Sequence, residues 1–367
     1  MKKFMVLLVS FVVWMWVVVP ATYSCTALCL KGDAGWVAGF NFDWYLEDAV
    51  VLVNKRGVKK TAFSNYAKIS ETSMAQWTSK YGSVTINQYG CDVVASGMNE
   101  AGLFVAMLGL PEAEWSTPDS RLSVTTAQWV QYQLDNSGTV KDVIESDKVI
   151  QVHGGKGRVH FFACDKTGEC ATIEGIKGKT EIHHTPKNMP VKVLTNVPYA
   201  EALNSFQQGR ITYNNYAQSI TRFLQAAKSL KEADRKPPKS ATDFTFMTLK
   251  KVGFYEEIDG IKPFPATEWS AVYDLTNMLI HFRTYRNENI RSIRLGSLDF
   301  SCESPVQAFE IQSTLSGDVT HKFFNYNTEM NRALIMKSYK RTAELTEIPD
   351  AVLEKRSVYP ESFRCTK

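Results

Sequence analysis

Apolar and polar positions change rhythm several times along the chain, and each change marks an element. An apolar run over residues 4–19 is broken only by Ser10. Small and apolar residues fill 25–30, the turn signal Gly32-Asp33-Ala34-Gly35 follows, and 36–42 resumes as a strand. That rhythm predicts a hairpin that starts at Cys25. Residues 50–53 read as another strand, and 81–88 alternate as a half-buried strand does. Residues 93–96 and 103–108 flank the turn residues 97–102. The spacing turns helical over 124–134, and Thr139 is an N-cap for a helix over 140–147. Strands return at 159–164, 170–175 and 191–195. A helical stretch from 213 to 233 precedes the polar break Lys236-Pro237-Pro238-Lys239. Alternation at 269–274 and 279–285 predicts a second hairpin, and 329–345 is helical again. Strands in consecutive hairpins, with helices grouped between them, predict an α+β fold with antiparallel sheets rather than βαβ units.

The first apolar run is shorter than the ~20 residues a spanning helix needs. With Lys2-Lys3 ahead of it and Pro20-Ala21-Thr22-Tyr23-Ser24 behind, residues 1–24 read as a secretion signal. The cut falls before Cys25 or after Ala21. The expectation is a periplasmic or secreted protein with no stable membrane insertion once the signal is gone. Residues 25–367 then form one domain, with a C-terminal extension after about residue 300.

Composition narrows the partners. Apolar residues are 44% and charged ones 22%, as in an ordinary soluble globular chain. The net charge of +4 includes Lys2 and Lys3 and is too weak to predict a nucleic-acid or anionic-membrane partner. The seven cysteines are odd in number, so at least one thiol is unpaired within the chain. Cys164 and Cys170 flank a turn and read equally as a hairpin disulfide or as two buried thiols. The six histidines show no zinc-type spacing, and no Gly-rich phosphate loop or G-x-S-x-G elbow is present. Neither metal nor cofactor is expected.

A cysteine that opens a mature chain carries a thiol and a free α-amine on one residue. The thiol titrates near ~8.5 and the amine near ~8, so the amine can accept the thiol proton without a histidine. Attack on an acyl group yields a thioester that water hydrolyses. Such a site also needs a carboxylate for the ammonium group, a pair of donors for the oxyanion and an acyl pocket. Two other readings compete for Cys25: lipidation, which Thr22-Tyr23-Ser24 fits poorly, and an ordinary core or disulfide cysteine.

Six segments in order carry a resemblance. They are Cys25-Thr26, Gly39-Phe40-Asn41-Phe42-Asp43-Trp44, the run from Gly97 to Leu103, Leu194-Thr195-Asn196-Val197-Pro198, Ser219-Ile220-Thr221-Arg222-Phe223, and Val272-Tyr273-Asp274 with Phe282-Arg283-Thr284-Tyr285. Together they resemble the choloylglycine hydrolase and penicillin V acylase family. The resemblance implies an N-terminal nucleophile hydrolase fold, an αββα sandwich with two antiparallel sheets between helical layers. It implies a hydrolase of linear, non-peptide C–N amide bonds, a small-molecule amide as partner and a homo-oligomer, a tetramer in many members. Cys25 would be the nucleophile and Asp43 would hold its amino end. Asn196 and the backbone N–H of Gly109 would bind the oxyanion, and Arg222 would order the site. Asn99 would serve its turn. Phe40 stands where bile-salt and penicillin-cleaving members carry arginine, and Gly109 where they carry asparagine or tyrosine. With Trp36, Trp44, Tyr45 and Leu110, Phe40 would make the site apolar, as for a fatty or aromatic acyl group. A lipid-amide or acyl-homoserine-lactone hydrolase on the same fold is the alternative, and a non-catalytic exported binding protein, lipidated or not, is the rival from another class.

Overall fold

The computed structural model describes residues 24–63, 73–153, 157–211, 216–257, 259 and 261–366. The secretion signal expected at 1–24 lies, apart from Ser24, outside the described residues. Among the described residues no helix is long and apolar enough to cross a membrane.

The alternating segments pair into two large sheets. One has seven strands, with Thr26–Gly32 and Gly35–Trp44 near its middle, flanked by Val193–Leu194 and Ala266–Asp274. The other has nine and contains Phe104–Gly109, Val159–Cys164 and Cys170–Ile176 as consecutive neighbours. Pairing within both is antiparallel except where Arg291–Arg294 meets Gly317–Asp318. Helices α1 (Trp129–Asn136) and α2 (Val140–Ser146) pack on the nine-stranded sheet. On the seven-stranded sheet, α4 (Ala217–Arg235) and α5 (Ala241–Val252) pack; α3 (Tyr199–Gln208) leads into α4. The layers therefore run helix, sheet, sheet, helix. After residue 300, Gln307–Glu310 and Phe324–Asn325 extend the nine-stranded sheet, and α6 (Thr328–Arg341) and α7 (Asp350–Ser357) pack on each other.

The core lies between the sheets, where Phe40, Phe104, Phe162, Trp269, Tyr273 and Phe282 are fully buried. Burying each such ring is worth about 2–3 kcal/mol. Phe104 and Tyr273 meet across the sheets with centroids 4.6 Å apart. Gly39 lets α5 close on the hairpin: a Cβ there would sit 2.4 Å from Thr245 Cγ2.

Several expectations need correction. The helix predicted over 124–134 begins only at Trp129, because Leu122–Val124 is a strand pairing in parallel with Ile150–Val152. The β-branched run Val124-Thr125-Thr126 favours that extended start. Helices α3 and α5 were not anticipated, although Ser240 caps α5 by accepting from Asp243 N at 3.2 Å. The long helix is described over Ala217–Arg235, two residues past its expected end; its expected start at 213 lies outside the described residues. In contrast, Thr139 caps α2 with a full capping box, as its position predicts. Cys164 and Cys170 lie opposite each other across their hairpin and form a disulfide; Cys302 and Cys365 form a second. Cys25, Cys29 and Cys91 remain free.

Candidate active site

Hairpin register builds one side of the site. Thr26 pairs with Asn41, so Cys25 comes up beside the end of the strand Gly35–Trp44. There its thiol donates to the Asp43 carbonyl at 3.9 Å. A register shift between Thr267 and Trp269 brings Thr267 opposite Asp43, and Thr267 Oγ1 donates to Asp43 Oδ1 at 2.6 Å. Asp43 Oδ2 is buried and has no hydrogen-bond partner.

Helix α4 supplies the other side. Arg222 Nη1 donates to the Cys25 carbonyl at 2.7 Å and to Thr26 Oγ1 at 2.8 Å. Its Nη2 donates to Asn196 Oδ1 at 3.1 Å. Asn196 follows the strand Val193–Leu194, and Thr195 Oγ1 ties that loop to α4 by donating to Ser219 O at 3.1 Å. Ser219 lies one turn before Arg222, so the same bond that holds the loop also sets the face on which Arg222 projects. Asn196 Nδ2 donates to the Gly109 carbonyl at 2.7 Å. Arginine can only donate, so its bond to Oδ1 fixes which way the Asn196 amide faces. The five residues singled out from sequence, Cys25, Asp43, Asn196, Arg222 and Gly109, thus meet in one buried network. Cys25, Asp43, Asn196 and Arg222 are each no more than 4% exposed.

Burial decides the electrostatics. It pushes the Cys25 thiol up to about 12, with the Asp43 charge adding to the rise; backbone hydrogen bonds from Asp43 and Gly109 and the Arg222 charge oppose it and lose. Burial also pushes Asp43 up to about 7, against the pull of Arg222 and Thr267. Arg222 itself is lowered by burial. In this chain Ser24 is still joined to Cys25, so the Cys25 nitrogen is a peptide amide, whose delocalised lone pair cannot accept the thiol proton. At pH 7 only about one thiol in 10⁵ would be ionised at such a value.

Sequence reasoning missed Thr195 and Thr267 and gave Thr26 no role. No local signal marks Thr267, whose place depends on pairing with a strand more than 220 residues earlier. The apolar lining needs correction too. Trp36 pairs with Lys31 near the turn of the hairpin, far from Asp43, and lies under Lys192 Nζ at 3.6 Å. Phe40 is fully buried in the core. Phe42 stacks on Trp269 at 4.1 Å, and Trp44 on Tyr45 at 4.5 Å. Asn99 holds its turn, accepting from Ala101 N and Leu103 N and donating to Leu134 O and Ser137 O. His183 and His184 end the edge strand Lys179–His184.

A family model described as linear amide C-N hydrolases, choloylglycine hydrolase family, matches residues 25–230, more than half of the chain. A penicillin V acylase of Pectobacterium atrosepticum is 28% identical over 263 residues, which span 62% of this chain and 69% of that protein. A penicillin V acylase structure from Agrobacterium tumefaciens aligns with a TM-score of 0.69 at 25% identity, covering 83% of this chain and 98% of the other. A variant conjugated bile acid hydrolase from Clostridium perfringens shares the fold, with a TM-score of 0.66 at 20% identity over 80% of this chain and 98% of that one. The chain belongs to the choloylglycine hydrolase family and is a hydrolase of C–N bonds in linear amides.

Proposed function

We propose that this member of the choloylglycine hydrolase family is exported, cut before Cys25, and cleaves small acyl amides through a thioester on that cysteine. The observation that carries the reading is Asp43 Oδ2, a carboxylate oxygen buried beside Cys25 with no donor. A buried acceptor left unpaired is costly. Cutting the Ser24–Cys25 bond creates an α-ammonium group that can donate to it. The family match begins at Cys25, which supports a mature chain that begins there. Ser24 is fully buried, so its removal also opens space against the thiol.

The new positive charge lowers the pKa of both Cys25 and Asp43, because a nearby cation favours the ionised forms. As the thiol attacks the substrate carbonyl, the neutral α-amine takes its proton and the C–S bond forms. The carbonyl electron pair moves to oxygen, where Asn196 Nδ2–H and Gly109 N–H donate. The proton passes to the departing nitrogen as the C–N bond breaks. Water then attacks the thioester, releasing the carboxylic acid and restoring the thiol. Arg222 keeps the Cys25 carbonyl, Thr26 and the Asn196 amide in register through these steps.

A fatty acyl amide or acyl-homoserine lactone is the second reading. It is favoured by an aromatic stack of Trp44, Tyr45 and Phe264, with Tyr45 and Phe264 centroids 5.7 Å apart and Phe264 75% exposed. The test is a panel of bile-salt conjugates, penicillin V, acyl-homoserine lactones, N-acyl amino acids and N-acylethanolamines on purified mature protein. Release of amine that disappears in Cys25→Ala is the expected result. Turnover that survives this substitution sinks the mechanism.

A further inference from the structure

Resting on the reading that Asn196 and Gly109 bind the oxyanion, we propose that Glu174, gripped by His160, is a positioning residue that fixes the spacing of those two donors. Glu174 lies on the strand Cys170–Ile176 and is 1% exposed. Among the described residues its ion-pair partners are His160 and His183, with no lysine or arginine. Both of its carboxylate oxygens accept from the backbone N–H of Tyr199, at 3.1 and 3.2 Å.

That amide opens α3. The N-cap of α3 is Pro198, which makes no side-chain cap. The first N–H groups of a helix need acceptors from outside it, and a carboxylate is favoured there by the helix dipole. Glu174 therefore serves as a cap supplied by another strand. Only Val197 and Pro198 separate the anchored amide from Asn196, and the proline ring restricts the backbone between them. Holding Tyr199 N holds Asn196.

The same carboxylate reaches toward Gly109. His160 Nδ1 lies 2.8 Å from Glu174 Oε1. His160 pairs with Leu108, and its neighbour Val159 pairs with Gly109. Leu110 N, on the far side of Gly109, donates to Arg158 O at 2.9 Å. The strand Val159–Cys164 and the residue just before it thus carry both the histidine that grips Glu174 and the backbone partners that frame Gly109. None of these groups touches the thiol network directly, and each acts through another.

A double-mutant cycle tests the idea, with kcat and KM measured on the amide that the mature enzyme hydrolyses best. Glu174→Ala is expected to lower kcat about tenfold or more while KM changes less than about threefold. Glu174→Gln keeps an acceptor for Tyr199 N and should restore most of kcat. In an Asn196→Ala background, Glu174→Ala should cost clearly less than it does alone, because one of the two donors it positions is gone. If Glu174→Ala does not fold, His160→Asn in the same cycle removes the grip and leaves the cap. Unchanged kcat in the single variant, or a full cost on top of Asn196→Ala, overturns the positioning role alone. Turnover that survives Cys25→Ala overturns the catalytic reading on which it rests.

Discussion

Keeping the Ser24–Cys25 bond intact should leave a mark on stability, and Asp43 sets its size. In the uncut chain burial pushes this carboxyl from 3.8 to about 7. Unfolded, it titrates near ~3.9. Between those values the folded protein keeps a proton that the unfolded chain has released. Stability therefore falls as pH rises through that window, by about 4 kcal/mol in total, and levels off above about pH 7. Cutting the bond puts an ammonium group beside Oδ2, lowers the pKa of Asp43 and removes most of that fall. The assay compares denaturant midpoints from pH 4 to 8 for three proteins: the cut enzyme, a chain with an uncleavable tag ahead of Ser24, and D43N with the same tag. The tagged chain should lose stability across the window while the cut enzyme and D43N stay nearly flat. Parallel profiles for the tagged and cut proteins would refute the pairing of Asp43 with the new amine.

Three further outcomes follow from the same network. Asn196→Ala should lower kcat by about 10²–10³-fold with little change in KM, measured by amine release; an effect below about tenfold would reduce Asn196 to a turn residue. Thr267→Val removes the donor to Asp43 Oδ1, so the acid limb of the rate profile should move to higher pH, by about one unit. Arg222→Met strips donors from the Cys25 carbonyl, Thr26 and Asn196, and should cost about 3–5 kcal/mol by chemical denaturation, with Arg222→Lys recovering only part.

Much of the fold could be read from local rhythm. The hairpin at Cys25 shows as two apolar runs around a Gly-Asp-Ala-Gly turn, the hairpin at 269–285 as alternation, and Thr139 carries its own capping chemistry. What rhythm could not reveal depends on distant partners. Thr267 reaches Asp43 only because the pairing slips between Thr267 and Trp269. Trp36 reads as apolar site lining from its residue type, yet the strand Gly35–Trp44 carries it and Asp43 to opposite ends. The Glu174 cap on α3 has no trace near Pro198, since its acceptor comes from another strand. That the five candidate residues lie together was legible because a resemblance in order stands in for contacts that no single segment encodes.

The central claim is that Cys25 is both the first residue of the working enzyme and the atom that carries the acyl group. Quenching the exported protein in acid during turnover of its best amide, then weighing its N-terminal peptide, tests both halves at once. The account predicts a peptide that begins at Cys25 and gains the mass of the acyl group in the wild type, and no gain in C25S. Active protein whose chain begins at Thr22, or turnover with no adduct on the Cys25 peptide, would contradict it.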